Sequence, residues 1–543
     1  LDCLFSYERY RACYWFIRLI IMYDIIIRDG LIVDGTGKKP YKGTIAIKNG
    51  QITKITSKDN GYKTNIEIEA NGKIITPGFI DISNHSDTYL TLFSAPSQKS
   101  LITQGVTTII GGNCGASLAP LISSSAIASI QKWTDMSNIN IDWHTFKEYI
   151  DILDKKYFAP NFASLVGYDT VRRGLIGDKN RALTDDELRV IASLIRQALE
   201  EGAIGVSLGL AFSHMQSVDK KELLQLANII KKYNKILTIH SRNDGEQIVE
   251  SIKEIIYVTS STKVKTHINH LKILGRKNWK YATEINEILT QAVLDKLPLT
   301  FDVFPYTANN TVAYLLLPNW VALGGRQVLL ENLKDNKIRG RLIQEMKSNS
   351  YDYNRIIVSD SPMNRSVIGK SILEIAKNQG ISLEDAVIQL VIASEGRARV
   401  IVDSISDKHI KELISFNNSI IGSDSAGYDD NLIKYKNYEH PRSFGTFTKF
   451  LQDYVLTGQL DWAQAIPKIT SLPAQTLGLD KIGLIGENMR ADLVILDPNN
   501  LQSCATFKQP IQYSNGIDTV IINGKVALQN GEVVNLGGTV LKF

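Results

Sequence analysis

DELRVIASLIRQALEEG, residues Asp186–Gly202, runs through Ala203 into IGVSL, Ile204–Leu208, and this junction decides the fold. The first run sets apolar residues at three- and four-residue intervals between charges, the pattern of an amphipathic helix. The second is short and uncharged, the pattern of a strand buried on both faces. The alternation recurs on either side. GFIDI, GVTTIIGG, NFASLVG, ILTIH, VKTHINH, LTFDVF, RIIVSD and SIIGSD are further candidate strands between Gly78 and Asp424. Helical runs such as EQIVESIKEII, Glu246–Ile256, lie between them. Strand–helix alternation from Gly78 to about Leu479 predicts an α/β fold with a mainly parallel sheet, closed at this length as a (β/α)8 TIM-like barrel. Nine candidate strands compete for eight places, so one is surplus.

The two ends read differently. YDIIIRDGLIVDG, TIAIKNGQITKI and IEIEANGKIITP, within Tyr23–Pro77, are rich in Ile and Thr, and Asn49-Gly50 sits between two strand-like runs as a tight hairpin turn. ADLVILDP and VIINGKVALQNGEVV repeat that texture near the C-terminus, with Asn523-Gly524 and Asn530-Gly531 as turns. A small β-sandwich built from 23–77 and 481–543, flanking a barrel over 78–480, is the simplest arrangement. YWFIRLIIM, Tyr14–Met22, is interrupted by Arg18 and far short of the ~20 residues that span a bilayer. Residues 1–22 are expected to be a non-native or disordered extension, with Met22 as the natural start.

Composition narrows the function. Lys and Arg number 61 against 56 Asp and Glu, a net charge of +5 over 543 residues, with no basic block to track phosphates. Nucleic acid and membrane are therefore disfavoured as partners. Four cysteines, Cys3, Cys13, Cys114 and Cys504, are too sparse for a disulfide framework and suit a reducing, cytoplasmic setting.

Polar residues collect at the ends of the strand-like runs. His85 follows GFIDISN, His240 ends KILTIH, His270 ends KTHINH, Asp424 ends SIIGSD and Cys114 follows GVTTIIGGN. In a parallel barrel these ends share one rim, where active sites sit. Imidazole, thiolate and carboxylate together are the donors Zn²⁺ prefers. Each residue also has a plainer reading: a satisfied polar His, a small buried Cys, an Asp that caps a helix.

PGFIDISNHSD, GVTTIIGGNCG, HSRNDGEQIVESI, INHLKILG, DVFPYTA, IIGSDSAG, HPRSFGTF and GENMRADLVILDP resemble, in order and spacing, the N-acyl-D-amino-acid deacylases of the amidohydrolase superfamily. The resemblance spans about Tyr23 to Leu541. It implies a distorted TIM barrel with a β-sandwich from both termini, and hydrolysis of a small-molecule N-acyl-D-amino acid. It also implies one tight zinc held by Cys114, His240 and His270. The family's weaker second metal uses an HxH pair and the last-strand Asp; here the pair reads Ser83-Asn84-His85, which leaves His85 and Asp424 and makes that site doubtful. Relatives elsewhere in the superfamily bridge two metals with a carboxylated Lys, and the matching segment IGVSLGL has none. By the same resemblance Asp424 is the catalytic acid and base, Lys272, Tyr306 and Arg442 bind substrate, and Tyr306 to about Ser366 forms a lid-like insertion with a Gly324-Gly325 pair.

Four positions depart from the family pattern: Ser83, Tyr168 for a His, Asn243-Asp244 for Asp-Glu, and Ser213-His214 for Pro-Gly. Two other functions stay open at this point. One is hydrolysis of a related amide, such as an N-acyl glutamate, a cyclic imide or a dipeptide; the other is a binding protein that has lost catalysis.

Overall fold

The computed structural model describes residues 22–57, 61–123, 126, 141–348, 352–434 and 438–543. The expected N-terminal extension, apart from Met22, lies outside the described residues, as do Cys3 and Cys13.

The helices between the central strands begin where side chains satisfy the free backbone N–H groups. Helix Asp185–Glu200 starts in a capping box in which the Thr184 hydroxyl accepts from Glu187 N and the Glu187 carboxylate accepts from Thr184 N. It buries Ile191, Ile195, Ala198 and Leu199. Helix Lys220–Lys232 is capped in the same sense by Asp219. These apolar stripes face strands that are apolar on both sides, as a parallel sheet requires.

Phe79–Asp81, Val106–Gly111 and Asn161–Ser164 form one parallel sheet. Val166–Gly167, Gly205–Gly209, Ile236–His240, Lys265–Ile268, Leu299–Val303 and Ser419–Ile421 form another, each paired with the next. The sheets meet at both edges. At one, only Leu165 separates Asn161–Ser164 from Val166–Gly167, so NFASLVG is one interrupted strand. At the other, Ser423 donates to Asp81 from its backbone N at 2.9 Å and its hydroxyl at 2.6 Å. His85 N also donates to the Ser425 carbonyl, at 2.8 Å.

RIIVSD is the surplus strand. Ile356–Asp360 pairs antiparallel with Arg399–Asp403, which pairs antiparallel with Ala308–Val312. This small sheet has its own core, including Leu316, Leu329, Val358, Val387 and Val400. The inserted unit therefore continues to Asp403, beyond the Ser366 expected from the sequence. An apolar run shows that a strand is buried but not which way its partner points.

The chain ends share one nine-stranded sheet. Asn49-Gly50, Asn523-Gly524 and Asn530-Gly531 all adopt positive φ, between 52° and 78°, as two-residue hairpin turns require. Met22–Ile32 pairs with Tyr41–Lys48 on one edge; on the other it pairs first with Lys63–Glu69 and then with Ile74–Pro77. Ile74–Pro77 in turn pairs with Leu493–Leu496, which joins the C-terminal strands. The expected sandwich is thus a continuous sheet that forks at one 11-residue strand long enough for two successive partners. Ile25, Ile27, Ile45, Ile47, Ile495 and Ile521 fill its own core. Among the described residues no helix is long and apolar enough to cross a membrane.

Asp81 joins the first and last parallel strands from a fully buried position, and burial pushes its carboxyl up to about 6. A carboxyl that holds its proton more tightly folded than unfolded weakens folding as pH rises from about 4 to about 6. Asp81→Asn cannot ionise, so the stability of wild type relative to the variant should fall by about 1–3 kcal/mol between pH 4 and pH 7 in urea titrations. Parallel pH profiles for the two proteins would show that Asp81 does not titrate in this range.

Candidate metal centre

The loop after Val106–Gly111 presents Cys114 through a backbone that only particular residues tolerate. Gly112 and Gly115 both take positive φ, at 73° and 78°. A Cβ at Gly112 would strike the Leu165 carbonyl, and one at Gly115 would strike the Asp169 carboxylate. Asn113 ties the loop down by donating to the carbonyls of Ile110 and Ile82, while accepting from Asn269 Nδ2 at 3.0 Å. Cys114 itself is buried, at φ 53°.

His240 ends strand Ile236–His240, and His270 lies two residues past Lys265–Ile268. Their rings stand edge to face, 4.4 Å apart. His270 Nε2 lies 3.2 Å from Cys114 Sγ, and one donor atom from each of Cys114, His240 and His270 lies within 4.8 Å of the other two. His240 Nδ1 is buried and makes no hydrogen bond among the described residues. A buried ring nitrogen with no partner among the described residues, on a histidine grouped with a thiol and a second imidazole, suits a tetrahedral N/S-binding ion such as zinc. Burial, then the Lys272 charge, hold His270 well below its ordinary pKa, which keeps the imidazole neutral as a ligand must be.

A second group adjoins the first. His85, Cys114 and Asp424 each bring a donor atom within 4.8 Å of the others. His85 Nε2 lies 3.1 Å from Asp424 Oδ1, and Arg442 Nη1 lies 2.8 Å from Asp424 Oδ2. Burial alone would raise the Asp424 carboxyl, but Arg442, His270 and His85 hold it well below the usual carboxylate range. Ser83 is fully buried, and its hydroxyl makes no hydrogen bond among the described residues. Serine oxygen is a poor substitute for imidazole here, so the second group has fewer good donors than the first.

The three residues expected to touch substrate divide. Arg442 opens helix Arg442–Phe450, is buried, lies 4.9 Å over the Phe304 ring and lines the small cavity with the metal donors. Its Nε makes no hydrogen bond among the described residues. Lys272 lines the same cavity, but its ammonium is held internally, 2.8 Å from both Asp244 Oδ2 and His270 Nδ1. Tyr306 does not line it; its ring packs edge-on against His440 and Phe507.

The departures resolve in the same way. Tyr168 donates to Glu222 Oε1 at 2.7 Å, beside a buried Arg172–Glu222 ion pair, and is a packing residue in the wall. Asn243 accepts from the backbone N–H groups of Gly245 and Gln247, shaping the loop after His240. His214 lies 3.4 Å from Asp169 and stacks on Phe212, which stands edge-on to His240. Residues not anticipated from sequence also line the cavity: Tyr89, Phe212, Asn309, Asn310 and Thr311. Tyr89 stacks on His85, and the buried Arg399 from the inserted sheet lies 4.9 Å over its ring. The polar Asn309-Asn310-Thr311 run straight after PYTA was the one sequence signal for this wall.

Comparison with known proteins follows from this geometry. The amidohydrolase family model matches residues 365–527. D-aminoacylase of Alcaligenes xylosoxydans xylosoxydans is 27% identical over 503 residues, covering 92% of this chain and 94% of that protein. N-acyl-D-aspartate deacylase of the same organism is 28% identical over 505 residues, covering 92% and 91%. A crystal structure of D-aminoacylase, described as defining a novel subset of amidohydrolases, superposes with a TM-score of 0.81 at 26% identity, covering 96% of this chain and 100% of that one. A second D-aminoacylase structure, concerned with a binuclear metal centre, one-metal activation and second-metal attenuation, matches equally, with a TM-score of 0.81 at 26% identity over the same shares.

Elemental analysis after dialysis tests the donor set. Wild type should retain about one zinc per chain, and Cys114→Ala should lose most of it, because only two strong donors remain. Full retention by the variant would remove Cys114 from the ligand set.

Proposed function

We propose that this chain, 27–28% identical over nearly its whole length to N-acyl-D-amino-acid deacylases, is an amidohydrolase of linear amides: a zinc enzyme that hydrolyses N-acyl-D-amino acids to a carboxylate and a free D-amino acid. The observation that carries the reading is the meeting, around one small cavity, of Cys114, His240 and His270 with Asp424 and Arg442. We read the two parallel sheets as one (β/α)8 barrel sealed by the Asp81–Ser423 contacts, with all five residues on its C-terminal rim.

Cys114, His240 and His270 would hold the metal. When bound, it supplies Lewis-acid polarisation of the amide carbonyl and an activated water. The thiolate supplies the negative charge that no bridging Lys provides. With Ser83 in place of a second imidazole, one metal is the working complement.

Asp424 takes a proton from water and returns it to the leaving nitrogen. The Arg442 charge makes it a reluctant base in the free protein. A substrate carboxylate that engages Arg442 offsets that charge and raises the proton affinity of Asp424 when substrate is in place. Arg442 suits the task, since its planar guanidinium can grip a carboxylate through two parallel bonds. Lys272, paired with Asp244, adds positive potential beside His270 without being a free ligand. With the amide at the metal and the carboxylate at Arg442, the side chain fits in one direction only, which is the physical basis of chirality.

N-acetyl-D-methionine should be hydrolysed with a kcat/KM well above that for the L-enantiomer. Equal values would overturn the D-assignment and leave the deacylase reading standing. Asp424→Asn should keep its zinc and fold while kcat drops by a factor on the order of 10²–10⁴. Near-wild-type turnover by that variant would move the proton transfer to another group.

A further inference from the structure

A larger cavity, of about 350 Å³, opens beside the donor cluster and shares His240, Asn309 and Thr311 with it. The cavity around the donors is only about 40 Å³. The larger one has an apolar wall of Leu274, Leu315, Leu316, Leu317, Pro318 and Val402, most of it contributed by the inserted unit. Two charged groups at its inner end are already matched: Arg242 donates to both Glu254 oxygens at 3.0 Å, and Asp244 holds Lys272. Glu246 and Lys277 also line it, but both are exposed, so the cavity offers apolar surface and neutral amides to a ligand away from solvent, with no unmatched buried charge.

The deacylase reading, on which this inference rests, orients the substrate. The leaving nitrogen must face Asp424 to receive its proton, and the carboxylate faces Arg442, 2.8 Å from Asp424. Both residues line the small cavity and neither lines the large one. His240 lines both. The amino-acid half thus lies on the Asp424 side, and the acyl half leaves the reacting carbon past His240. We propose that the Leu315–Pro318 cavity is an acyl-chain site, and that the enzyme is built for N-acyl amino acids whose acyl group is a medium-length aliphatic chain. An acetyl methyl would leave nearly all of this space to water, whereas each added methylene gains by leaving water for the leucine wall.

Three substrates separate the possibilities: N-acetyl-D-alanine, N-octanoyl-D-alanine and N-acetyl-D-leucine. The octanoyl compound should exceed N-acetyl-D-alanine in kcat/KM by a factor on the order of 10 or more, mainly through KM. Leu315 is only half-buried and stands outside the insertion's core cluster, so Leu315→Asp should fold and should erase most of that advantage. Equal or poorer use of the octanoyl substrate overturns the inference. A gain confined to N-acetyl-D-leucine also overturns it, by placing the side chain in this cavity. Failure to hydrolyse any of the three overturns the deacylase reading and this inference with it.

Discussion

Three donors, the buried thiol of Cys114 and the ring nitrogens of the partly buried His240 and the buried His270, meet within 4.8 Å, and a surrounding polar structure holds them there. Burying one such group without a partner costs free energy, and burying three side by side costs more unless a cation joins them. The supports are specific. Asp302 accepts from the His270 backbone N at 2.8 Å and from His267 Nε2 at 2.9 Å, fixing the turn that aims His270. Ser207 receives Gly115 N at 3.0 Å, and Asp169 receives Gly209 N at 3.0 Å, so neighbouring strand ends brace the Cys114 loop. Hydrogen bonds of this kind fix the orientation of candidate donor side chains and of the backbone that carries them.

The acid/base side of the site depends on the same economy of charge. Asp424 lies between His85 and Arg442, and its buried carboxylate is tolerable because of them. Arg442 comes from the helix after the last parallel strand, and His85 from the loop after the first. Closing that seam through Asp81 and Ser423 therefore brings together the His85–Asp424–Arg442 cluster as well as the sheet.

The fold was largely legible in the sequence because two periods, of about two and 3.6 residues, change at clear punctuation. Asn-Gly pairs marked all three terminal hairpins, and GGNCG marked a loop that only glycine permits. RIIVSD misled because pairing direction is absent from an apolar run; its antiparallel partner lies some forty residues on, at Arg399–Asp403. The donors could be named from strand ends together with the family resemblance. Lys272 illustrates what could not be read: its partner Asp244 belongs to a different loop, so only three dimensions show the charge committed. The wall built by Tyr89, Phe212 and Asn309–Thr311 left only the polar run after PYTA as a trace in the sequence, since it combines the first loop, the fourth and the insertion.

The most direct test of a Cys–His–His metal site is X-ray absorption at the zinc edge on protein loaded with one equivalent. One sulfur scatterer at about 2.3 Å with nitrogen scatterers at about 2.0–2.1 Å is the result expected for Cys114, His240 and His270. A spectrum with only nitrogen and oxygen neighbours would contradict the account, because it would leave Cys114 outside the coordination shell around which the site is built.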